Sequence, residues 1–413
     1  MGDCAKMGAA LVLAGGVPAV HAAGIDHIRI GLIGCGGRGV GAAMNALEAH
    51  PGARVVTVGD VFADRAEGAR QNLTRQRPNQ ADVPRERCFV GFDAYAKVIA
   101  SEIDLALLAT PPGFRPLHFE AAVSAGKHVF MEKPVSVDSP GSRAIIAASK
   151  IASQKKLKVV VGYQRRHDAR YIEAVRQLRD GKPGKIQRLE ACWKTGSIWS
   201  RPRQAGATEM QYQLTNWIHF VWLSGDMIVE VHTHNLDVCN WAMGTHPAKV
   251  SGTGGQKQAK NDVGDTFDHF LLEYTYPDGT VLASECGYIF AAGGKVGEWV
   301  SLQQGVIPLI NAAQGAPVGG NPYIQEWKDL FAAINDNSDM NEAASAAETS
   351  LTAIMGRMAA YRGKEVLWQD ALASGESFLP TRCAMDADPP ALPDKAGRYP
   401  VPARGRNRLY ASI

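Results

Sequence analysis

The feature that most constrains this chain is a cluster of glycines set between an apolar run and a segment of helical composition. Ile28 to Ile33 (IRIGLI) has the character of a strand, Gly34-Cys35-Gly36-Gly37-Arg38-Gly39 follows, and an Ala/Met/Leu-rich helix-compatible stretch begins at Val40. A G-x-G-x-x-G turn in that setting uses its first glycine for the bend and its second for close approach of a pyrophosphate. Its third lets helix and strand pack together. Helix N-terminal amides then face the phosphates. The next strand, Arg54 to Gly59, ends in Asp60, roughly 20 residues beyond the loop, where a carboxylate accepts hydrogen bonds from an adenosine ribose. Gly34, Cys35, Gly36, Gly37, Arg38, Gly39 and Asp60 are therefore the candidate dinucleotide contacts. Asp60 would repel a 2′-phosphate and Val61-Phe62 offers no arginine to receive one, so NAD is expected ahead of NADP. Arg65 and Arg70, further along, are the residues that keep NADP in view.

The pattern continues as a doubly wound parallel sheet. Ile103 to Ala109 is a continuous apolar run, the mark of a strand buried on both faces, and it leads into Thr110-Pro111-Pro112 at the edge where such sheets bind ligands. A helix stopped by Gly126 and a short strand, His128 to Met131, run into Glu132-Lys133-Pro134. A lysine there points toward the nicotinamide end of the crevice. Thr110, Pro111, Glu132 and Lys133 join the cofactor candidates.

With 413 residues and 46% hydrophobic residues the chain can bury more than one core. Its net charge of +3 is too weak to recruit nucleic acid. The seven cysteines are far apart, with no C-x-x-C, which excludes zinc ribbons and disfavours a disulfide framework; no metal site is expected. Met7 to Val20 is apolar and ends in Val20-His21-Ala22, a signal-peptide pattern (residues 1–22) that predicts a periplasmic or secreted protein, with a cytoplasmic one as the alternative. The stretch is too short, and too rich in glycine and proline, to span a membrane.

The Gly-rich loop, Ala109 to Pro112 (ATPP) and Gly126 to Pro134 (GKHVFMEKP), in this order, resemble the glucose-fructose oxidoreductase/inositol dehydrogenase (Gfo/Idh/MocA) family. The blocks Gly162 to Tyr171, Trp222 to Pro247, Asn321 to Leu330 and Gly356 to Trp368 are similar to it as well. The resemblance covers about residues 27–370. It implies an α/β protein, in which an N-terminal Rossmann doubly wound parallel sheet (25–155) precedes a C-terminal α+β domain (156–370). That second domain is expected to carry the substrate and an open, mostly antiparallel sheet through which copies of the chain associate as a dimer or tetramer. Candidate strands are Ile186 to Trp193, Ala248 to Thr253, Phe267 to Tyr276 and Val281 to Tyr288, with Pro277-Asp278-Gly279 as a hairpin turn. Ala291 to Pro317 reads as a pocket or interface loop, and 371–413 as a Pro-rich tail.

On one helix Glu230, His234 and Asp237 fall at i, i+4 and i+7 and share a face, either a proton-handling stripe or a merely solvated one. The resemblance implies the former, with Glu230, His234 and the EKP lysine, Lys133, as the catalytic group. It also implies Tyr163, Arg165, Trp217 and Asp237 as substrate contacts, with Trp199 and Trp193 as further sugar-stacking candidates and His118 at the cofactor's border. The expected reaction is hydride transfer between a secondary hydroxyl of a sugar, polyol or sugar derivative and a nicotinamide. The alternative is a glycoside-cleaving enzyme in which tightly held NAD oxidises a ring carbon transiently, with Tyr163 or His232 as an additional base. A non-catalytic sensor is disfavoured by the intact lysine and histidine.

Overall fold

The computed structural model of the protein describes residues 27–402 except 182–183, 197, 257–262, 289–293 and 311–319. The expected signal peptide lies outside the described residues. Six strands, β1 (Ile28–Ile33), β2 (Ala53–Asp60), β3 (Cys88–Val90), β4 (Leu105–Leu108), β5 (His128–Met131) and β6 (Val159–Val161), form a sheet in the order β3-β2-β1-β4-β5-β6, every neighbouring pair parallel. β4, β5 and β6 are buried at every residue, as helical cover on both faces requires. The strand order reverses between β1 and β4. At that switch point a crevice opens beyond the carboxyl ends of the strands.

Part of the cover arrives from far downstream. Helix Pro322–Asp336 lays Trp327, Leu330 and Phe331 into the core of this sheet, with Trp327 stacked on Phe130 at 4.1 Å. Helix Ala343–Arg362 adds Ala343, Ala346 and Ala347 to the other core cluster.

A second sheet contains β7 (Arg188–Thr195), β8 (Lys249–Gly255), β9 (His269–Thr275), β10 (Val281–Tyr288), β11 (Lys295–Leu302), β12 (Gly305–Pro308) and β13 (Val366–Leu367), ordered β12-β11-β7-β10-β9-β8-β13. The β7–β10 pair is parallel and the others antiparallel. β10 has the bounds expected from its alternation, and β7, β8 and β9 lie within two residues of theirs at each end. Between β9 and β10 the turn closes as Tyr276 N–H donates to Thr280 O at 2.8 Å. The stretch Ala291 to Pro317 corrects the expectation of a loop, since it holds the β11–β12 hairpin. Its alternating buried positions, Glu298, Val300 and Leu302, were hidden by glycine- and alanine-rich flanks. The described part of the tail packs rather than trails: Phe378, Ala391 and Tyr399 enter the core of the second sheet. Cys35, Cys88, Cys192, Cys239 and Cys286 are free thiols, whereas Cys383 is disulfide-bonded.

His167 ties the loop after β6 to the downstream helices. Its Nδ1 lies 2.6 Å from Asp329 and its Nε2 3.3 Å from Glu342. Burial alone would discharge the imidazole, yet the two carboxylates outweigh it and push the pKa up to about 10. The stabilisation is then fully present below the unfolded-state pKa of about 6.5 and lost as pH rises toward 10. In urea denaturation at stepped pH, the wild type should lose about 1.5–3 kcal/mol over that window, the range for a hydrogen bond to a charged group. His167→Gln should be less stable at pH 6 and show little of that slope.

Candidate active site

A cavity of about 720 Å³ occupies the crevice. The ends of four strands feed it: Ile33 and Gly34 after β1, Gly59 and Asp60 from β2, Ala109, Thr110 and Pro111 after β4, and Glu132 and Lys133 after β5. Gly34 has φ +96°, and a Cβ there would lie 2.6 Å from the backbone of Ala109 and Thr110; a Cβ on Gly39 would lie 1.9 Å from Gly34 O. These two glycines close the turn. At Gly36 and Gly37 a Cβ would meet nothing within 4 Å, so this floor is open. Helix Gly37–Ala49 starts there without a side-chain cap, leaving its first amides for an anion. The cradle therefore fits the pyrophosphate of a dinucleotide.

Asp60 accepts hydrogen bonds from the amides of Cys35 (2.7 Å) and Phe62 (2.9 Å), which bind the glycine loop to the end of β2. Burial pushes its pKa up against those amides. Arg38 donates from Nε to Glu132 at 2.6 Å, so the glycine loop is also clamped to the end of β5. Thr110 Oγ1 lies 3.1 Å from His118 Nδ1, and the imidazole stacks on Tyr95 at 4.3 Å. Burial and the Arg115 guanidinium lower the His118 pKa to about 3, so His118 is a neutral border residue of the cavity.

At the other end Lys133 Nζ lies 3.1 Å from Glu230 Oε1 and also donates to the Glu230 carbonyl, and both side chains line the cavity. The single helical stripe expected from 230 to 237 is corrected. Helix Met227–Glu230 ends and a new helix, Thr233–Met243, begins after Val231 and His232. His232 is drawn into the second sheet, its Nε2 at 2.8 Å from Ser284 Oγ, and the Glu230 carbonyl freed by the break is the one that Lys133 caps.

Three expected substrate contacts do not line this cavity. Asp237 is held by Arg166 through two 2.8 Å hydrogen bonds and by Thr349 at 2.9 Å, which consumes its carboxylate. Arg165 pairs with buried Glu298. Tyr163 is buried, its hydroxyl 2.8 Å from Thr233 Oγ1. His234 also stands behind the cavity wall, between Tyr163 and Trp193, with Nδ1 buried and without a hydrogen-bond partner among the described residues. Burial, then the charges of Lys133, Arg165 and Arg38, push its pKa well below the usual imidazole range, so it stays neutral. Trp217 does line the cavity. So does Trp199, a sugar-stacking candidate, whereas Trp193 does not; Asp64, Arg201, Leu214 and Thr215, which no local pattern singled out, line it as well. Arg65 reaches the cavity too, while Arg70 turns away to Glu67.

The model of the GFO_IDH_MocA family, described as an oxidoreductase family with an NAD-binding Rossmann fold, matches residues 28–163. Over these residues the chain is similar to the Gfo/Idh/MocA oxidoreductase family. An inositol 2-dehydrogenase of Saccharopolyspora erythraea is 28% identical over 266 residues, 63% of this chain and 68% of that protein. The scyllo-inositol dehydrogenase of Lactobacillus casei, solved with NAD(H) and scyllo-inositol, has a TM-score of 0.64 at 20% identity, covering 83% of this chain and 99% of that one; it shares the fold. A glycosyl hydrolase family 109 protein of Streptomyces coelicolor is 36% identical over 113 residues, 27% of this chain and 23% of that protein.

Within the matched segment Gly36 and Gly39 separate ligand space from packing. Gly36 has φ −70° and ψ 178°, which alanine adopts without strain. Gly36→Ala should leave the thermal midpoint unchanged and weaken dinucleotide binding at least tenfold in a fluorescence titration. Gly39→Ala should instead cost about 1–3 kcal/mol of stability by overpacking.

Proposed function

We propose that the protein oxidises a secondary hydroxyl of a polyol, sugar or sugar derivative at the Lys133 end of the cavity. A bound nicotinamide dinucleotide supplies the hydride acceptor. The observation that carries this reading is that Lys133 and Glu230 share a wall with the glycine loop, at the carboxyl end of β5. Lys133 removes the hydroxyl proton as hydride leaves, and returns it in the reverse direction. Glu230 fixes the direction of the Lys133 amine. His234 is assigned as a neutral hydrogen-bonding and positioning residue rather than an acid.

NAD is the assigned cofactor, because Asp60 and Asp64 both border the cavity where a 2′-phosphate would have to sit. Binding of NAD and NADP to the stripped protein compares them directly. The division of labour follows the segments: 25–155 binds dinucleotide, 156–370 carries substrate and oligomer contacts, and 1–22 directs export. Exposed Leu271, Val296, Val306 and Ile307 on the second sheet support self-association, which light scattering would measure.

The family 109 relative favours a second reading, redox-assisted glycoside cleavage. Both bases considered for it lie off the cavity. His232 is fully buried with its pKa lowered to about 3, chiefly by burial, and the Tyr163 hydroxyl is engaged by Thr233. Net reduction of added NAD by a polyol supports the dehydrogenase; aglycone release without net NADH supports the other.

Lys133→Met should lower turnover with the responsive polyol by 10²–10⁴-fold, the usual worth of a general base, with NAD affinity within about threefold of wild type. Turnover retained near the wild-type level would remove Lys133 from the proton step.

A further inference from the structure

The wall of the cavity facing Asp60 is not built by the parallel sheet alone. Trp199 and Arg201, from the loop after β7, line the same cavity as Phe62, Asp64 and Arg65, which follow β2. The Arg201 charge bears on Arg65, and the Arg65 guanidinium stacks on Phe62 at 4.5 Å within the field of Asp60. Val61, Phe62 and Phe92 pack against the core of the second sheet. The loop after β7 is therefore closed onto the adenosine end of the crevice.

This loop is bolted down at three points. Buried Asn216 accepts from Arg201 N at 2.7 Å and donates to Arg201 O at 3.1 Å, gripping the backbone of the arginine on both sides. His219 Nε2 lies 2.8 Å from Trp199 O. Arg203 stacks on Tyr212 at 3.9 Å and donates to Glu209 at 2.8 Å and to the Tyr399 hydroxyl at 2.9 Å, so the C-terminal segment braces the loop from behind. With the backbone fixed, Arg201 and Trp199 are still presented outward: Trp199 is 45% exposed, and neither Arg65 nor Arg201 forms an ion pair within 4.0 Å among the described residues. Two guanidiniums and an indole on one wall suit a stacked purine.

We propose that Trp199 and Arg201 form a clasp over the adenosine half of the bound dinucleotide and slow its release between turnovers. The proposal rests on the dinucleotide reading of the cavity. Fixing the clasp before binding removes ordering cost, so its contribution appears mainly as a slower off-rate. Tyr399 is a positioning residue that acts through Arg203 and Glu209.

The test begins with protein purified without added cofactor, denatured, and assayed for released NAD(H). Stripped protein is then reloaded with isotopically labelled NAD and chased with excess unlabelled NAD through gel filtration. Wild type should carry close to one equivalent and release label at least tenfold more slowly than Arg201→Ala and Trp199→Ala, with Tyr399→Phe between them. Matching thermal midpoints establish that the exposed-residue variants are folded. Equal release rates for wild type and Arg201→Ala overturn the clasp while leaving the dinucleotide site intact. Failure of stripped wild type to bind either NAD or NADP overturns both.

Discussion

The joint on which the rest depends is the contact of Lys133 with Glu230. One partner lies two residues beyond a strand of the parallel sheet and the other ends a short helix of the downstream segment. Lys133 Nζ engages both the side chain and the backbone carbonyl of Glu230. An amine placed this way has its direction set from two sides. The break at Val231–His232 is what makes the joint possible, because a continuous helix would spend the Glu230 carbonyl on its own ladder.

Around this joint charge is separated along the cavity. Near Lys133 the cationic groups Arg38 and Arg165, like the lysine itself, are each paired with a carboxylate, so the reacting end carries little unbalanced charge. Near Asp60 the guanidiniums of Arg65 and Arg201 have no ion pair within 4.0 Å among the described residues. His118 and His234, both kept neutral by burial, add hydrogen-bonding capacity without adding charge.

The first sheet was legible because its information is local. A glycine turn between two periodicities, an acidic strand end and continuous apolar strands mark a doubly wound parallel sheet and its carboxyl edge, and Gly34, Gly36, Gly39, Asp60 and Lys133 stand at that edge. The second half was less legible. Helical spacing placed Glu230, His234 and Asp237 on one stripe, because it could not report that Asp226 starts one helix and His232 interrupts it. Asp237 and Arg165 resemble ligands in sequence because both are charged residues beside a site; their buried partners, Arg166 and Glu298, lie 71 and 133 residues away. Trp199 and Arg201 carried no periodic signal at all, since a loop is placed by the tertiary contacts of Asn216 and His219.

The central claim is that hydride moves directly between a carbinol carbon and the nicotinamide beside Lys133. Incubating the enzyme with NAD and inositols deuterated at their carbinol carbons, then examining the nicotinamide C4 position by NMR, tests it directly. Deuterium on one face of C4 in the reduced dinucleotide is the predicted result. Reduction that carries hydrogen from solvent, or no reduction by any polyol or sugar of a broad panel, would contradict it.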